Sequence, residues 1–265
     1  MILGFIGCGN MANAMIKGIL ESKWIEEESV FVSNRSQSKL DCLKENYKVY
    51  TTLDNKEVAS NADVLVLSVK PQMYEAVISE IKDVIKEDAL ILTIAPGFTL
   101  ERLKELFGNR KIVRSMPNTP AMVGQGMTAY VCNDLCDAKD EECIQGMLNC
   151  FGKCAAVSES QMDAVTAVSG SSPAYVYMFI EAMADAAVKE GLPRAKAIEF
   201  AAQAVLGSAQ MVLDTKKHPG ELKDMVCSPE GTTIEAVSVL EKKGFRGTVM
   251  DAMEACASKS RGMGK

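Results

Sequence analysis

Three short runs in this 265-residue chain hold residue types whose spacing suits chemistry. Gly7-Cys8-Gly9-Asn10-Met11-Ala12 spells G-x-G-x-x-A after the apolar run Ile2 to Ile6 and at the start of a helical pattern. In that setting Gly7 permits a tight turn, Gly9 lets the backbone approach a pyrophosphate, and small Ala12 lets helix and strand pack closely with the helix N-terminus facing the anion. The run reads as a dinucleotide loop that places Ile6, Gly7, Cys8, Gly9, Asn10 and Met11 at a cofactor. The second run, Ser33-Asn34-Arg35-Ser36, ends the next apolar strand, where an NAD site usually sets an acid on the ribose hydroxyls. A guanidinium between small polar groups can hold a 2′-phosphate instead, so Asn34, Arg35 and Ser36 predict NADPH, with NADH as the alternative; Arg35 also reads as a solvated turn residue. The third run, Cys227-Ser-Pro-Glu-Gly-Thr-Thr233, crowds hydroxyls, a proline and a glycine at the start of a helical pattern. It is either an ordinary N-cap, with Ser228 or Thr232 meeting free amides, or an anion cradle built from those amides.

Other residues narrow the chemistry. The single histidine, His218, would have to serve any Ser-His-Asp triad, histidine metal centre or histidine-acid dehydrogenase alone, and its place before Pro219 suits a solvated or capping role. Nine cysteines, an odd number spread through strand and helix patterns, fit reduced thiols rather than a disulfide framework. The spacing of Cys132/Cys136 and Cys150/Cys154 is not that of a zinc knuckle, so no metal is expected. A net charge of −6 with 24 % charged residues provides no field to gather nucleic acid or an anionic membrane. Ile2 to Ile6 is too short for a signal peptide, so a cytoplasmic protein is expected.

These runs need elements to hold them. The first half alternates apolar strands with amphipathic helices, the pattern of a mainly parallel sheet covered on both faces. Strands are expected at 2–6, 30–33, 63–69, 89–95, 111–115, 127–132 and 153–157, and helices at 10–20, 72–86, 99–107 and 138–151. Val69-Lys70-Pro71 and Ala95-Pro96-Gly97 then fall at later strand ends, on the edge where a dinucleotide lies in such a sheet. After about Ser158 the β-branched runs give way to Ala- and Met-rich helical segments at 174–191 and 194–213. Pro173, Pro193 and Pro219 fall near helix starts, and Gly191 lies where a helix end needs a left-handed residue. The expected fold is an α/β Rossmann-type domain over 1–158, followed by an all-α domain over 159–265. Helices so apolar on several sides are core or, as favoured here, pack against a partner subunit in a homodimer.

With that loop, SVKPQ (68–72), MPNTPA (116–121), VSGSSPAY (168–175) and HPGELKDMVCSPEGTTIEAV (218–237) in one order, the chain resembles pyrroline-5-carboxylate reductases over essentially its whole length. The resemblance implies NAD(P)H-dependent reduction of the C=N bond of 1-pyrroline-5-carboxylate to L-proline, the last step of proline biosynthesis. It also implies a helical dimerisation domain, a homodimer and often further assembly. By this resemblance Ser228, Gly231, Thr232 and Thr233 cradle the substrate carboxylate, and Glu159 matches an acidic position beside the substrate ring. Asn55, Val69, Lys70 and Pro96 match cofactor-contacting positions, to which Pro71 and Ala95 add neighbouring backbone. Imine reduction asks little acid–base chemistry of the protein, so the lack of a second histidine is no obstacle; orientation is what the protein must supply. Thr233 is the first candidate for the contact with the ring nitrogen. Two positions depart from the family pattern. Glu230 stands where a glycine is usual and would be strained if its φ is positive, and Ser172 stands where a glycine usually precedes the proline. A reductase of a related cyclic imine, or a non-catalytic NAD(P)-binding regulator, are the alternatives.

Overall fold

Short apolar runs separated by polar turns become the strands of one sheet in a computed structural model that describes residues 1–263. The strands are β1 (Leu3–Ile6), β2 (Val30–Ser33), β3 (Tyr50–Thr52), β4 (Val64–Leu67), β5 (Leu90–Thr93), β6 (Ile112–Met116), β7 (Gly126–Cys132) and β8 (Gly152–Ala156). Their order is β3-β2-β1-β4-β5-β6-β7-β8, and every pairing is parallel except that between β6 and β7. Chain order reverses at β1, which lies between β2 and β4; a crevice at such a reversal is the usual ligand position in open α/β sheets.

β1, β4 and β5 are buried throughout, as central strands covered on both faces must be. Their side chains alternate between two cores. Leu3, Phe5, Val64, Val66, Leu90 and Leu92 enter one, with Met15, Ile16 and Ile19 of α1 (Asn10–Glu21). Ile6, Leu65, Leu67 and Ile91 enter the other, with Val58 of α3 (Asn55–Asn61), Tyr74 and Ile78 of α4 (Tyr74–Ile81) and Leu103 of α5 (Leu100–Phe107). Between them in sequence, α2 (Gln37–Asn46) buries only Leu40 and Leu43. Leu148 and Ile144 of α6 (Ala138–Asn149) complete the first core.

The expected strands are all present, with ends shifted by a residue or two. The strand expected at 63–69 stops at Leu67, because Ser68 turns its hydroxyl onto the loop after β1. The helix expected at 72–86 is a 3₁₀ turn, Pro71–Met73, followed by α4, which ends at Ile81. β3, α2 and α3 were not expected.

Two compact units are present. One comprises Met1–Ser171 with the described residues from Cys256 to Met263, and the other Ser172–Ala255. The first also includes α7 (Met162–Val165) and the π-helical turn Thr166–Gly170. The second contains α8 (Ser172–Lys189), α9 (Arg194–Thr215), α10 (Pro219–Val226), α11 (Thr232–Lys242) and the first half of α12 (Phe245–Met263). Residues 264 and 265 of the expected helical segment lie outside the described residues. Gly191 takes φ +97° after α8, the left-handed turn its position calls for, and Pro193 caps α9. His218 is the N-cap of α10, its Nδ1 accepting the Gly220 amide at 3.1 Å. Only alanines (Ala184, Ala197 and Ala201) are buried in α8 and α9, whereas Met178, Phe200, Met225 and Met250 are 63–68 % exposed. All nine cysteines are free.

Candidate active site

The loop after β1 is shaped by close approach. Gly7 takes φ +99°, and a Cβ there would lie 2.8 Å from the Ser68 carbonyl oxygen, so turn and strand end can meet only at a glycine. The Gly7 amide donates to Ser33 O at 2.8 Å, and the Ser68 hydroxyl lies 2.7 Å from Gly7 O and 3.1 Å from Ile6 O. The loop is thus tied to the ends of both neighbouring strands. Gly9 is different: it is the extended N-cap of α1, has no side-chain cap, and a Cβ on it would meet nothing within 4 Å. Its open side and the uncapped first amides of α1 form a cradle for an anion.

A cleft opens at this point, lined by Gly7, Cys8 and Gly9 of the loop, Asn34, Arg35 and Lys39 beyond β2, Asn55 at the start of α3, and Ser68, Val69, Lys70, Met73 and Val77 after β4. Arg35, Lys39 and Lys70 supply three cations, and no carboxylate is among the described lining residues. Such a wall receives an anionic ligand of dinucleotide type. The Cys8 thiol is pushed up chiefly by burial, against the opposing field of the Lys39 ammonium. Asn55 is held by both ends of its amide, with the Ser33 hydroxyl on Oδ1 at 2.8 Å and Glu80 Oε2 accepting from Nδ2 at 3.0 Å.

The cleft therefore brings together eight of the residues expected at the cofactor: Gly7, Cys8, Gly9, Asn34, Arg35, Asn55, Val69 and Lys70. Ile6 is buried in the core with its carbonyl accepting the Ser68 amide, and Asn10, Met11, Ser36, Pro71, Ala95 and Pro96 are not part of the lining. Lys39, Ser68, Met73 and Val77 are additions. Ser68 was visible in SVKPQ, but Lys39 is carried on α2, a helix with too few apolar residues to announce itself.

In the second unit, the run from Ser228 is a tight turn between α10 and α11. The Gly231 amide donates to Ser228 O at 3.1 Å. Pro229 cannot take a positive φ and Glu230 has φ +57°, which among hydrogen-bonded turns is the type II pattern. Gly231 is the extended N-cap of α11, and no side chain caps it, so neither Ser228 nor Thr232 plays the simple capping role. A Cβ on Gly231 would lie 2.3 Å from Ser228 Oγ. The amides of Thr232 and Thr233 thus open a helix N-terminus without a side-chain acceptor, whereas that of Gly231 is used within the turn.

Glu159 lies in the first unit, where its Oε1 accepts from Arg114 Nη1 at 2.9 Å and from the Leu100 amide, the first of α5, at 2.6 Å. Arg114, on β6, is buried, and its Nε has no partner among the described residues.

The chain is 48 % identical over 264 residues to the pyrroline-5-carboxylate reductase of Escherichia coli (strain K12), a match covering 99 % of this chain and 98 % of that protein. It belongs to the pyrroline-5-carboxylate reductase family. Residues 159–263 match the family model described as pyrroline-5-carboxylate reductase dimerisation, and residues 2–97 match one described as NADP oxidoreductase, coenzyme F420-dependent. Two solved structures are similar throughout. The Plasmodium falciparum pyrroline carboxylate reductase with NADP bound is 35 % identical, with a TM-score of 0.91, over 100 % of this chain and 98 % of that one. The pyrroline-5-carboxylate reductase of Coxiella burnetii is 36 % identical, with a TM-score of 0.93, over 99 % of this chain and 98 % of that one. Family membership accounts for the order in which the dinucleotide loop and the Ser228–Thr233 turn occur along one chain.

Proposed function

We propose that this protein is a pyrroline-5-carboxylate reductase that uses NADPH to reduce the C=N bond of 1-pyrroline-5-carboxylate to L-proline. The observation that carries this reading is full-length agreement with that family in a chain whose sheet edge opens a cationic, acid-free cleft at the strand-order reversal. The bound cofactor supplies the hydride. The protein's part is to bind and orient. Gly9 and the first amides of α1 take the pyrophosphate, while Arg35 and Lys39 take the 2′-phosphate.

The uncapped amides of Thr232 and Thr233 receive the substrate carboxylate, aided by the positive end of α11. The Thr233 hydroxyl bonds the ring nitrogen and fixes which face of the imine carbon is presented. Ser228 and Gly231 shape the turn that aims these groups; the family resemblance gives Glu159 a role at the substrate, and its Oε1 is held by Arg114 and the Leu100 amide. Bound as its protonated iminium, the substrate already carries the proton that the product nitrogen keeps, so the Thr233 hydroxyl accepts from that N–H and the protein need supply only orientation.

Residues 1–158 form the cofactor-binding segment and 159–265 the substrate-binding and dimerisation segment. The exposed Met178 and Phe200, in α8 and α9 that bury only alanines, and the exposed Met250 of α12 support a homodimer that covers them. Among the described residues no helix is long and apolar enough to cross a membrane. Nine free thiols support a cytoplasmic location.

The test is initial rates with NADPH and NADH on pyrroline-5-carboxylate and its six-membered analogue. Turnover is expected on the five-membered ring, with kcat/KM for NADPH above that for NADH. Nucleotide binding without consumption would overturn the assignment.

A further inference from the structure

Tyr74 opens α4 and is wholly buried, yet its hydroxyl touches only backbone. It donates to the carbonyl of Leu67, the last residue of β4, at 2.8 Å, and accepts from the amides of Ile94 at 3.3 Å and Ala95 at 3.2 Å, just beyond β5. One donor and two acceptor sites are all a phenol has, so its capacity is filled. Its ring is stacked on Phe98 with centroids 4.6 Å apart, which fixes the direction of the hydroxyl. Burial pushes the phenol up, so it remains a donor at any working pH.

The two backbones it joins matter. Leu67 leads directly into Ser68, Val69 and Lys70 of the cleft, and Met73 and Val77, on either side of Tyr74, line the same cleft. Beyond β5, Ala95, Pro96 and Gly97, the last with φ +85°, make the next turn on this edge of the sheet. In a doubly wound sheet each half takes one mononucleotide, and the end of β2 belongs to the adenosine side. The ends of β4 and β5 then belong to the nicotinamide side.

We propose that Tyr74 is a positioning residue for the nicotinamide half of the cofactor: its hydroxyl braces the ends of β4 and β5 and sets the Ile94–Pro96 turn against the dinucleotide. This rests on the reading above that the cleft holds NADPH. Without the hydroxyl, two amides and a carbonyl at the sheet edge lose their shared partner, and the turn can move without disturbing the loop after β1.

The test compares Tyr74→Phe with the parent, full chain, well below the melting temperature. Two ligands are titrated: NADPH and 2′,5′-ADP, which has the adenosine half alone. The expected result is an NADPH Kd raised about tenfold with the 2′,5′-ADP Kd within about twofold of the parent. Parallel weakening of both would show general damage and overturn the role, as would no change in either. In the parent, hydrogen exchange of the 94–97 backbone should slow when NADPH is added. No slowing sinks the placement of that turn at the cofactor, and the proposal with it; slowing together with an unchanged Tyr74→Phe sinks the role of Tyr74 alone. Should Tyr74→Phe not fold, Phe98→Leu, which frees the stacked ring, is read by the same two titrations and criteria.

Discussion

Replacing Glu230 by glycine should stabilise the protein. The residue sits third in the Ser228–Gly231 turn with φ +57°, where an L side chain costs roughly 1–2 kcal/mol relative to right-handed backbone. Its carboxylate is exposed and forms no ion pair or hydrogen bond among the described residues, so the substitution forfeits neither. Glycine relieves the strain but gives back part of it through the greater freedom of the unfolded chain, about 0.5–1 kcal/mol. A net gain of about 0.5–1 kcal/mol follows, or a rise of about 1–4 °C in Tm for a chain of this size. Thermal melting and urea denaturation measure it, and Glu230→Ala is the control. Alanine removes the charge but keeps the Cβ, so it should stay within about 0.3 kcal/mol of the parent. A Glu230→Gly protein no more stable than the parent would refute the strain argument. Equal gains in both variants would assign the effect to charge instead.

Arg35→Ala should weaken NADPH about tenfold through loss of a charge-assisted contact to the 2′-phosphate and leave the KM for NADH nearly unchanged; equal effects on both cofactors would remove Arg35 from cofactor choice. Thr233→Ala should lower kcat/KM for the imine about tenfold or more, with a stability change under about 0.5 kcal/mol, and a loss of stability with normal kinetics would make the residue structural. Asp63 gives a pH test. Burial would raise its carboxyl, but the hydrogen bonds from Lys86 Nζ and the Ile2 amide, both 2.7 Å, outweigh it and hold the pKa below the ordinary value. A lowered folded pKa contributes stability above the unfolded value, near 4, and loses it as pH falls through the folded value. Asp63→Asn should therefore be less stable than the parent at pH 7 by up to about 1 kcal/mol, the pair being partly exposed, with the gap closing below about pH 4 in denaturant melts.

The central strands were legible because burial on both faces demands uninterrupted apolar runs, as in VLVL of β4 and LILT of β5. The elements that escaped are those for which burial makes no such demand. β3 is three residues of an edge strand, Tyr50-Thr51-Thr52, none of them buried. α2 is mostly polar, with two core residues three apart, and α3 is under two turns long. Each is held by tertiary contacts that periodicity cannot report. The helix expected to reach residue 86 illustrates the converse, since apolar spacing continues through Ile85 into the core although the helix has ended at Ile81.

The same division runs through the candidate site. Gly7 could be named from the chain alone because backbone geometry dictates its type, a Cβ there striking the Ser68 carbonyl; Gly231, whose added Cβ would meet the Ser228 hydroxyl, is marked out by the family resemblance instead. Residues that reach the cleft from an unannounced element, Lys39 on α2 above all, could not. Glu230 joins the two cases. Pro229 followed by a residue of positive φ is a backbone requirement, and it explains why a glycine would suit that place; it does not explain why this chain has glutamate there. The turn tolerates the strain because Ser228 O and the Gly231 amide close it and α11 follows at once, so the cost falls on stability and the uncapped amides of Thr232 and Thr233 keep their direction. Relieving the strain should consequently move the melting temperature while leaving the substrate KM set by those amides.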